Sequence, residues 1–207
     1  MLSVERSISD LGRVGYDEGV RIQREVHARR LSGGVPDTLL LCEHPPVYTL
    51  GTNASAGDVL APRAPVVRSD RGGKVTFHGP GQVVGYVICD LRRRGWDVQR
   101  FCGDLEEVMI RALSDFGLAG ERIRGLTGVW LGREKVGALG VRVRRWVTMH
   151  GFALNVDCDL SYYEGIVPCG IADRGVTSMA RALAKPVDRA AVAGRCGVHF
   201  AEIFLGG

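Results

Sequence analysis

Apolar and polar positions along this chain follow two periods. "DEGVRIQREVHARRL" has helical spacing, with Val20, Val26 and Leu31 near one face. "TLLLCEHPPVYTLG" reads as a strand, a Pro-Pro break and a second extended piece. "APVVRSD" is a short strand, and "GKVTFHGPGQVVGYVICDL" reads as two strands around a Gly-Pro-Gly turn. The clearest helix is "WDVQRFCGDLEEVMIRALSDFG". There Val98, Phe101, Leu105, Val108, Ala112 and Phe116 recur at helical spacing, with Asp97 as N-cap and Gly117 as the stop. "TGVWLG", "KVGALGVRVRR" and "VTMHGFALNV" look like consecutive strands of an antiparallel sheet. A loop-rich stretch follows over 157–176. "DRAAVAGRCGVHFAEIFLGG" then forms an amphipathic helix with Val192, Cys196, His199 or Phe200, and Ile203 inward. This order predicts an α/β (α+β) protein: a mixed, largely antiparallel sheet with packed helices.

A chain of 207 residues fits one domain over 1–207. Its 45% hydrophobic content supports a core without disulfides or metals. A net charge of +4 does not point to nucleic acid. The N-terminus has no apolar run of signal-peptide type, and no stretch approaches the roughly 18 apolar residues of a membrane span. A cytoplasmic protein is expected, where disulfides are rare. The six cysteines (Cys42, Cys89, Cys102, Cys158, Cys169 and Cys196) form no C-x-x-C pair. None sits at zinc-ligand spacing from a histidine, and Cys42 with His44 is the nearest approach, so no metal site is expected.

Four stretches can carry chemistry. "RGGKVTFHGPGQ" packs Gly72, Gly73, Gly79 and Gly81 among Arg71, Thr76, His78 and Gln82, a ligand-lining combination. It is neither a dinucleotide fingerprint nor a phosphate loop. Lysine is rare here, at Lys74, Lys135 and Lys185, and unlike arginine it can hand on a proton. On one strand from Lys135 to Arg144, alternation puts Lys135 with Gly137, Leu139, Val141 and Val143 on the apolar face. Val136, Ala138, Gly140, Arg142 and Arg144 then face solvent. The competing reading starts the strand at Val136 and leaves Lys135 in a turn. His150 precedes Gly151 in a strand-like segment, as a core histidine or as one beside a close backbone approach. Cys169 lies in an irregular segment between Pro168 and Gly170, where an accessible thiol can act as a nucleophile. Its candidate partners are Lys135, His78 and His150.

Taken together, "EHPPVYTLG", "RGGKVTFHGPGQ", "KVGALGV", "HGFALN" and "PCGI" resemble the lipoyl (octanoyl) transferases, in family order over 43–171. The resemblance implies a fold akin to biotin and lipoate protein ligases. It implies a catalytic dyad of Cys169 and Lys135. It also implies an acyl site formed by Arg71, Gly72, Gly73, Lys74, Val75, Thr76, Phe77 and His78, by Ala138, Leu139 and Gly140, and by Gly151, Phe152 and Ala153, with His150 supporting. Gly137 stands where relatives carry a small side chain, with an expected effect on pocket width. The implied reaction moves an octanoyl group from acyl carrier protein, through a Cys169 thioester, to a lysine of a lipoyl domain. The implied acceptors are the E2 subunits of 2-oxoacid dehydrogenases and the glycine cleavage H protein. The expected enzyme is a monomer with no cofactor, nucleic acid or membrane partner. The arginine runs Arg92, Arg93, Arg94 and Arg142, Arg144, Arg145 are candidates for steering an acidic carrier. The rival readings are an ATP-dependent lipoate or biotin ligase, a thiol hydrolase using Cys169 with a histidine, and a non-catalytic acyl-binding module.

Overall fold

The computed structural model describes residues 7–167 and 174–206. Its elements in chain order are β1 (Ile8–Arg13), α1 (Tyr16–Leu31), β2 (Thr38–Glu43), β3 (Val47–Leu50), β4 (Val66–Arg68), β5 (Val75–His78), β6 (Gln82–Ile88), α2 (Val98–Ser114), β7 (Glu121–Ile123), β8 (Leu126–Leu131), β9 (Glu134–Arg144), β10 (Val147–Asn155), α3 (Met179–Leu183) and α4 (Arg189–Phe200). Two sheets result: a large one ordered β1-β2-β6-β10-β9-β8-β7 and a small one ordered β4-β3-β5. In the large sheet β1 and β2 pair in parallel and the other neighbours are antiparallel. The expected mixed, largely antiparallel sheet is therefore present. The two strands around Gly-Pro-Gly exist but are not hairpin partners. β5 pairs with β3, and β6 pairs with β2 and β10, so the turn carries the chain from one sheet to the other.

Helices cover both faces of the large sheet. α2 and α4 bury Phe101, Leu105, Val108, Val192 and Phe200 against Val83, Val87, Val129, Phe152 and Leu154. On the opposite face α1 sets Ile22 and Val26 against Leu40, Val84, Tyr86 and Ile88. Adjacent β6 residues thus serve different faces, as a period of two requires. The Asp97 side chain accepts from the Arg100 N–H at 2.7 Å, capping α2 as expected. The inward face of α1 is Gly19, Ile22, Gln23, Val26, His27 and Arg30, and Val20 lies off it. Polar residues on that stripe obscured its phase. Gln23 accepts the His150 N–H at 2.8 Å, and buried Arg30 donates to Asp37 at 2.7 Å. At the C-terminus Phe204 is buried in place of Ile203, because α4 widens into a π turn over Ala201–Leu205 and shifts the phase.

One irregularity decides where Lys135 points. Val129 pairs with Gly137, yet Trp130 pairs with Lys135, so β9 carries one extra residue at Val136. This β-bulge breaks the alternation. Val129, Val136 and the residues after them at Leu139, Val141 and Val143 pack on the α2 side. Lys135 shares the opposite face with Trp130, its Nζ 4.8 Å from the indole centroid. The strand starts at Glu134, so Lys135 is not in the turn. It is 9% exposed, as expected of an inward lysine, but it stands with Ala138 and Gly140, away from Leu139. That face is a cavity wall, where simple alternation predicted solvent. A Cβ at Gly137 would lie 2.7 Å from Met109 Sδ on α2, so this glycine governs helix packing and not pocket width.

Candidate active site

Between the large sheet and the 71–78 segment lies a cavity of about 410 Å³, a size suited to a small ligand. Strand register builds its floor in rows. Ala138, Ala153 and Val84 lie abreast on β9, β10 and β6, and Gly140, Gly151 and Tyr86 form the next row. Small residues keep the trough open. Val75, Thr76 and His78 cover it, with Gly72 and Gly73 at the start of the cover.

Arg71 holds that cover in place. It is buried and donates to Thr49 Oγ1 from Nε at 3.1 Å and from Nη2 at 2.8 Å, to the Thr49 carbonyl at 2.6 Å and to the Gly72 carbonyl at 3.0 Å. The Gly72 N–H in turn donates to the Val141 carbonyl at 2.9 Å. A Cβ at Gly140 would sit 3.0 Å from Arg71 Cδ and from the Gly72 carbonyl, so the close approach of cover to floor favours a glycine there.

The two ends differ. Gly125 and Thr127 are exposed near Lys135, where the cavity opens, and Gly73 and Lys74 are exposed at the start of the cover. The far end is closed by Tyr16, His78, Tyr86 and His150, all buried. His44 sits behind this wall, with its Nδ1 2.7 Å from the Val14 carbonyl, which can only accept. Nδ1 therefore carries the hydrogen, and burial keeps the ring neutral by holding its pKa down. Nε2 is then an acceptor for the Tyr86 hydroxyl at 2.6 Å, and burial keeps that hydroxyl protonated. His78 Nδ1 lies 3.3 Å from Gln82 Oε1, and the ring stacks on Tyr16 at 6.3 Å. Burial first, then the neighbouring His44 and Arg71, push its pKa well down, so it too is neutral. Tyr16 donates to Ser69 Oγ at 2.7 Å. The Tyr16 and Tyr86 hydroxyls and His78 Nδ1 are thus bonded to residues that do not line the cavity.

His150 has a left-handed backbone, φ 59°, inside β10. Alternation from Ala153 would put it on the α2 face; this conformation brings Nε2 to 2.6 Å from Asp70 Oδ1 instead. Arg142 pairs with the other Asp70 oxygen. Burial opposes Asp70 ionisation, but the His150 hydrogen bond, the His150 charge and Arg142 outweigh it and lower the carboxyl pKa. Burial lowers the His150 pKa despite Asp70.

At the open end, Lys135 is bound to the segment after residue 173. Its N–H donates to the Gly175 carbonyl and its carbonyl accepts from Thr177, both at 2.9 Å. Asn155 fastens that segment from below: Nδ2 donates to the Thr177 carbonyl at 3.0 Å, and Oδ1 accepts from Gln82 at 2.8 Å and Tyr163 at 3.2 Å.

Of the expected site residues, Lys135, Arg71, Gly72, Gly73, Lys74, Val75, Thr76, His78, Ala138, Leu139, Gly140, His150, Gly151, Phe152 and Ala153 line this one cavity. Phe77 does not. Alternation turns it to the other face of β5, where it stacks on Tyr162 at 4.4 Å and packs with Tyr48. Cys169 lies outside the described residues. Burial raises the thiol pKa of Cys102 to about 11 and of Cys158 and Cys196 to about 12, and raises that of Cys42 further. Tyr16, Val84, Tyr86, Cys102, Val141 and residues 125–127 at the start of β8 also line the cavity and were missed. The shared face of Val84 and Tyr86 on an alternating strand was the available signal for two of them. Both ring nitrogens of His44 are engaged, and the described residues hold no cluster of three metal-ligating side chains. No helix among them is long and apolar enough to cross a membrane.

A family model of the lipoyl protein ligase A/B catalytic domain matches residues 16–201. An octanoyltransferase of Rhodospirillum rubrum is 52% identical over 172 residues, 80% of each chain. Among solved structures, a lipoate-protein ligase A bound with ATP superposes with TM-score 0.76 at 16% identity, covering 97% of this chain and 86% of the other. A biotin protein ligase from Aquifex aeolicus gives TM-score 0.57 at 13% identity, covering 97% and 69%. At these identities the two ligases share the fold.

Proposed function

Because the chain belongs to the lipoyl protein ligase A/B catalytic domain family and is kin to its octanoyltransferases, we propose that it moves an octanoyl group from acyl carrier protein to a lysine of a lipoyl domain. Cys169 is the nucleophile and Lys135 the proton carrier. The acceptors are lipoyl domains of 2-oxoacid dehydrogenase E2 subunits and the glycine cleavage H protein, and the protein acts as a monomer in the cytoplasm.

The observation that carries this reading is the place of Lys135. It is a buried lysine at the open end of an acyl-sized cavity, and its backbone is bonded to Gly175 and Thr177, a few residues after Cys169 in the chain. In the first half, Lys135 takes the Cys169 thiol proton, and the thiolate attacks the thioester carbonyl of the carrier's phosphopantetheine arm. The carbonyl–sulfur bond to the arm breaks, and the departing thiolate takes the proton back from Lys135. In the second half, Lys135 removes a proton from the acceptor ammonium, and the amine attacks the octanoyl-Cys169 carbonyl. An amide forms, the carbon–sulfur bond breaks, and Cys169 regains a proton. A thioester is exchanged for a thioester and then for an amide, so no ATP enters the balance. The closed aromatic end helps keep water from the acyl-enzyme.

The arginine runs contribute at most long-range steering. Arg92 is paired with Asp90 at 2.9 Å, and Arg142 is paired with Asp70. Arg144 and Arg145 are exposed at the β9–β10 turn, about 30 Å along the strand from Lys135 at roughly 3.3 Å per residue. The side chains of Arg93 and Arg94 are not described.

The test is intact mass after incubation with octanoyl carrier protein without ATP. A gain of one octanoyl group, lost in Cys169→Ala, is expected. No adduct without ATP, with ligation surviving Cys169→Ala, would overturn the transferase in favour of an adenylating ligase.

A further inference from the structure

The cavity floor is made of alanine and glycine until one large side chain interrupts it. Leaving Lys135, a chain lying on the sheet crosses the row of Ala138, Ala153 and Val84 and then reaches Gly140, Gly151 and Tyr86. Tyr86 is 4% exposed, and its ring rises where its two strand neighbours have no side chain. Its hydroxyl is anchored to His44 Nε2 at 2.6 Å, and His44 is anchored to the Val14 carbonyl. The edge of His150 meets the ring at 6.2 Å and 78°. The ring is thus fixed by a hydrogen bond on one side and packing on another.

Lys135 and Gly140 are five residues apart with one taken up by the bulge, roughly 13–15 Å of strand, and Tyr86 lies two strands across from Gly140 at roughly 4.8 Å per strand, so the diagonal from Lys135 to Tyr86 is on the order of 16–18 Å. An extended eight-carbon acyl chain spans on the order of 9–10 Å at bond lengths of about 1.5 Å. The difference, roughly 6–9 Å, is about the space the Lys135 side chain and the contact with the phenol ring occupy.

We propose that Tyr86 is the stop that sets the length of the acyl chain this cavity accepts, with the Ala138–Ala153 row as the track leading to it. The proposal rests on the transferase reading for the direction of the chain, carbonyl at Lys135 and methyl end towards Tyr86. A chain longer than eight carbons must displace the anchored ring, and a shorter one leaves ring surface uncovered.

The test uses straight-chain acyl groups of six to fourteen carbons in two assays on the full protein. One is calorimetric binding of the free fatty acids, which needs no chemistry at Cys169. The other is acylation by the corresponding acyl carrier proteins, read by intact mass. Tyr86→Leu shortens the stop and is expected to raise the dodecanoyl-to-octanoyl ratio at least about tenfold in both assays, since a methylene in a fitted pocket discriminates by roughly 10- to 200-fold. Tyr86→Phe keeps the ring and keeps the ranking. Ala153→Leu blocks the track and moves the preference to hexanoyl. An unchanged ranking in folded Tyr86→Leu overturns the proposal. If Tyr86→Leu does not fold, Ala153→Leu decides, and octanoyl still preferred over hexanoyl there overturns it. Ranked binding without any acyl-enzyme in the wild type would sink the transferase reading and leave the stop standing.

Discussion

Lys135 and Thr177 hold one another by the backbone: the Thr177 N–H donates to the Lys135 carbonyl at 2.9 Å, and the Lys135 N–H reaches Gly175 on the same segment. The bridge is parallel, centred on Val176. It joins the strand that supplies the amine to the chain that has just left residues 168–173. The position of the ammonium is therefore set by the same hydrogen bonds that set the exit of the segment bearing Cys169.

Replacing Lys135 tests whether a movable proton is needed there. Lys135→Met and Lys135→Arg should each lower octanoyl transfer roughly 10²- to 10⁴-fold, with folding retained by circular dichroism. Arginine keeps the charge but cannot give up its proton near neutral pH. Activity restored in Lys135→Arg would show that charge alone suffices.

Asn155 is a positioning residue. Its amide links β10 to the Thr177 carbonyl, so Asn155→Ala frees the exit segment without touching substrate. We expect kcat to fall by about ten- to a hundredfold, as for a small misplacement of reacting groups, with KM for the acyl carrier nearly unchanged. Equal losses in binding and turnover would contradict this role.

Burial of neutral histidines makes stability depend on pH. His44, His78 and His150 all have folded pKa values below their usual value, chiefly through desolvation. The unfolded chain then binds protons that the folded one refuses. Stability is full above about pH 6.5 and falls with pH below it, by up to roughly 1.4 kcal/mol per pH unit for each histidine. Carboxylates begin to titrate lower, near pH 4. Melting temperatures measured between pH 7.5 and 5 should drop steadily below pH 6.5; a flat profile would count against neutral burial.

The Arg30–Asp37 pair is a folding element away from the cavity. Both groups are buried, the contact is 2.7 Å, and Asp37 also accepts the Asp90 N–H at 3.0 Å. Arg30→Met leaves a buried carboxylate without its guanidinium and should cost about 3–5 kcal/mol in denaturant unfolding. The acyl-length ranking should not move.

Much of the site was legible in residue type and little in direction. The 71–82 glycine stretch and the scarce lysines marked the right segments, because a backbone cradle and a proton carrier each need particular residues. Strand-like apolar runs also located β2, β6 and β10, which are buried on both faces. What alternation mishandled were the places where backbone geometry departs from ideal. The bulge at Val136 exchanged the faces of Lys135 and Val136, and the left-handed His150 crossed to the cavity side. Phe77 went wrong in the opposite sense, since regular alternation removes it from a wall to which its neighbours belong. Asp70 joins the site only through long-range packing with His150 and Arg142, and a linear chain shows no sign of that.

The extra residue in β9 also fixes a length that evolution and engineering must respect. Deleting Val136 would give β8 and β9 a regular ladder, with Lys135 still opposite Trp130 on the cavity face. It would also take a fully buried side chain out of the packing on α2 and draw the amine one residue closer to Ala138. The bulge thus sets the spacing between the amine and the cavity floor, while a second apolar residue is seated against the helix.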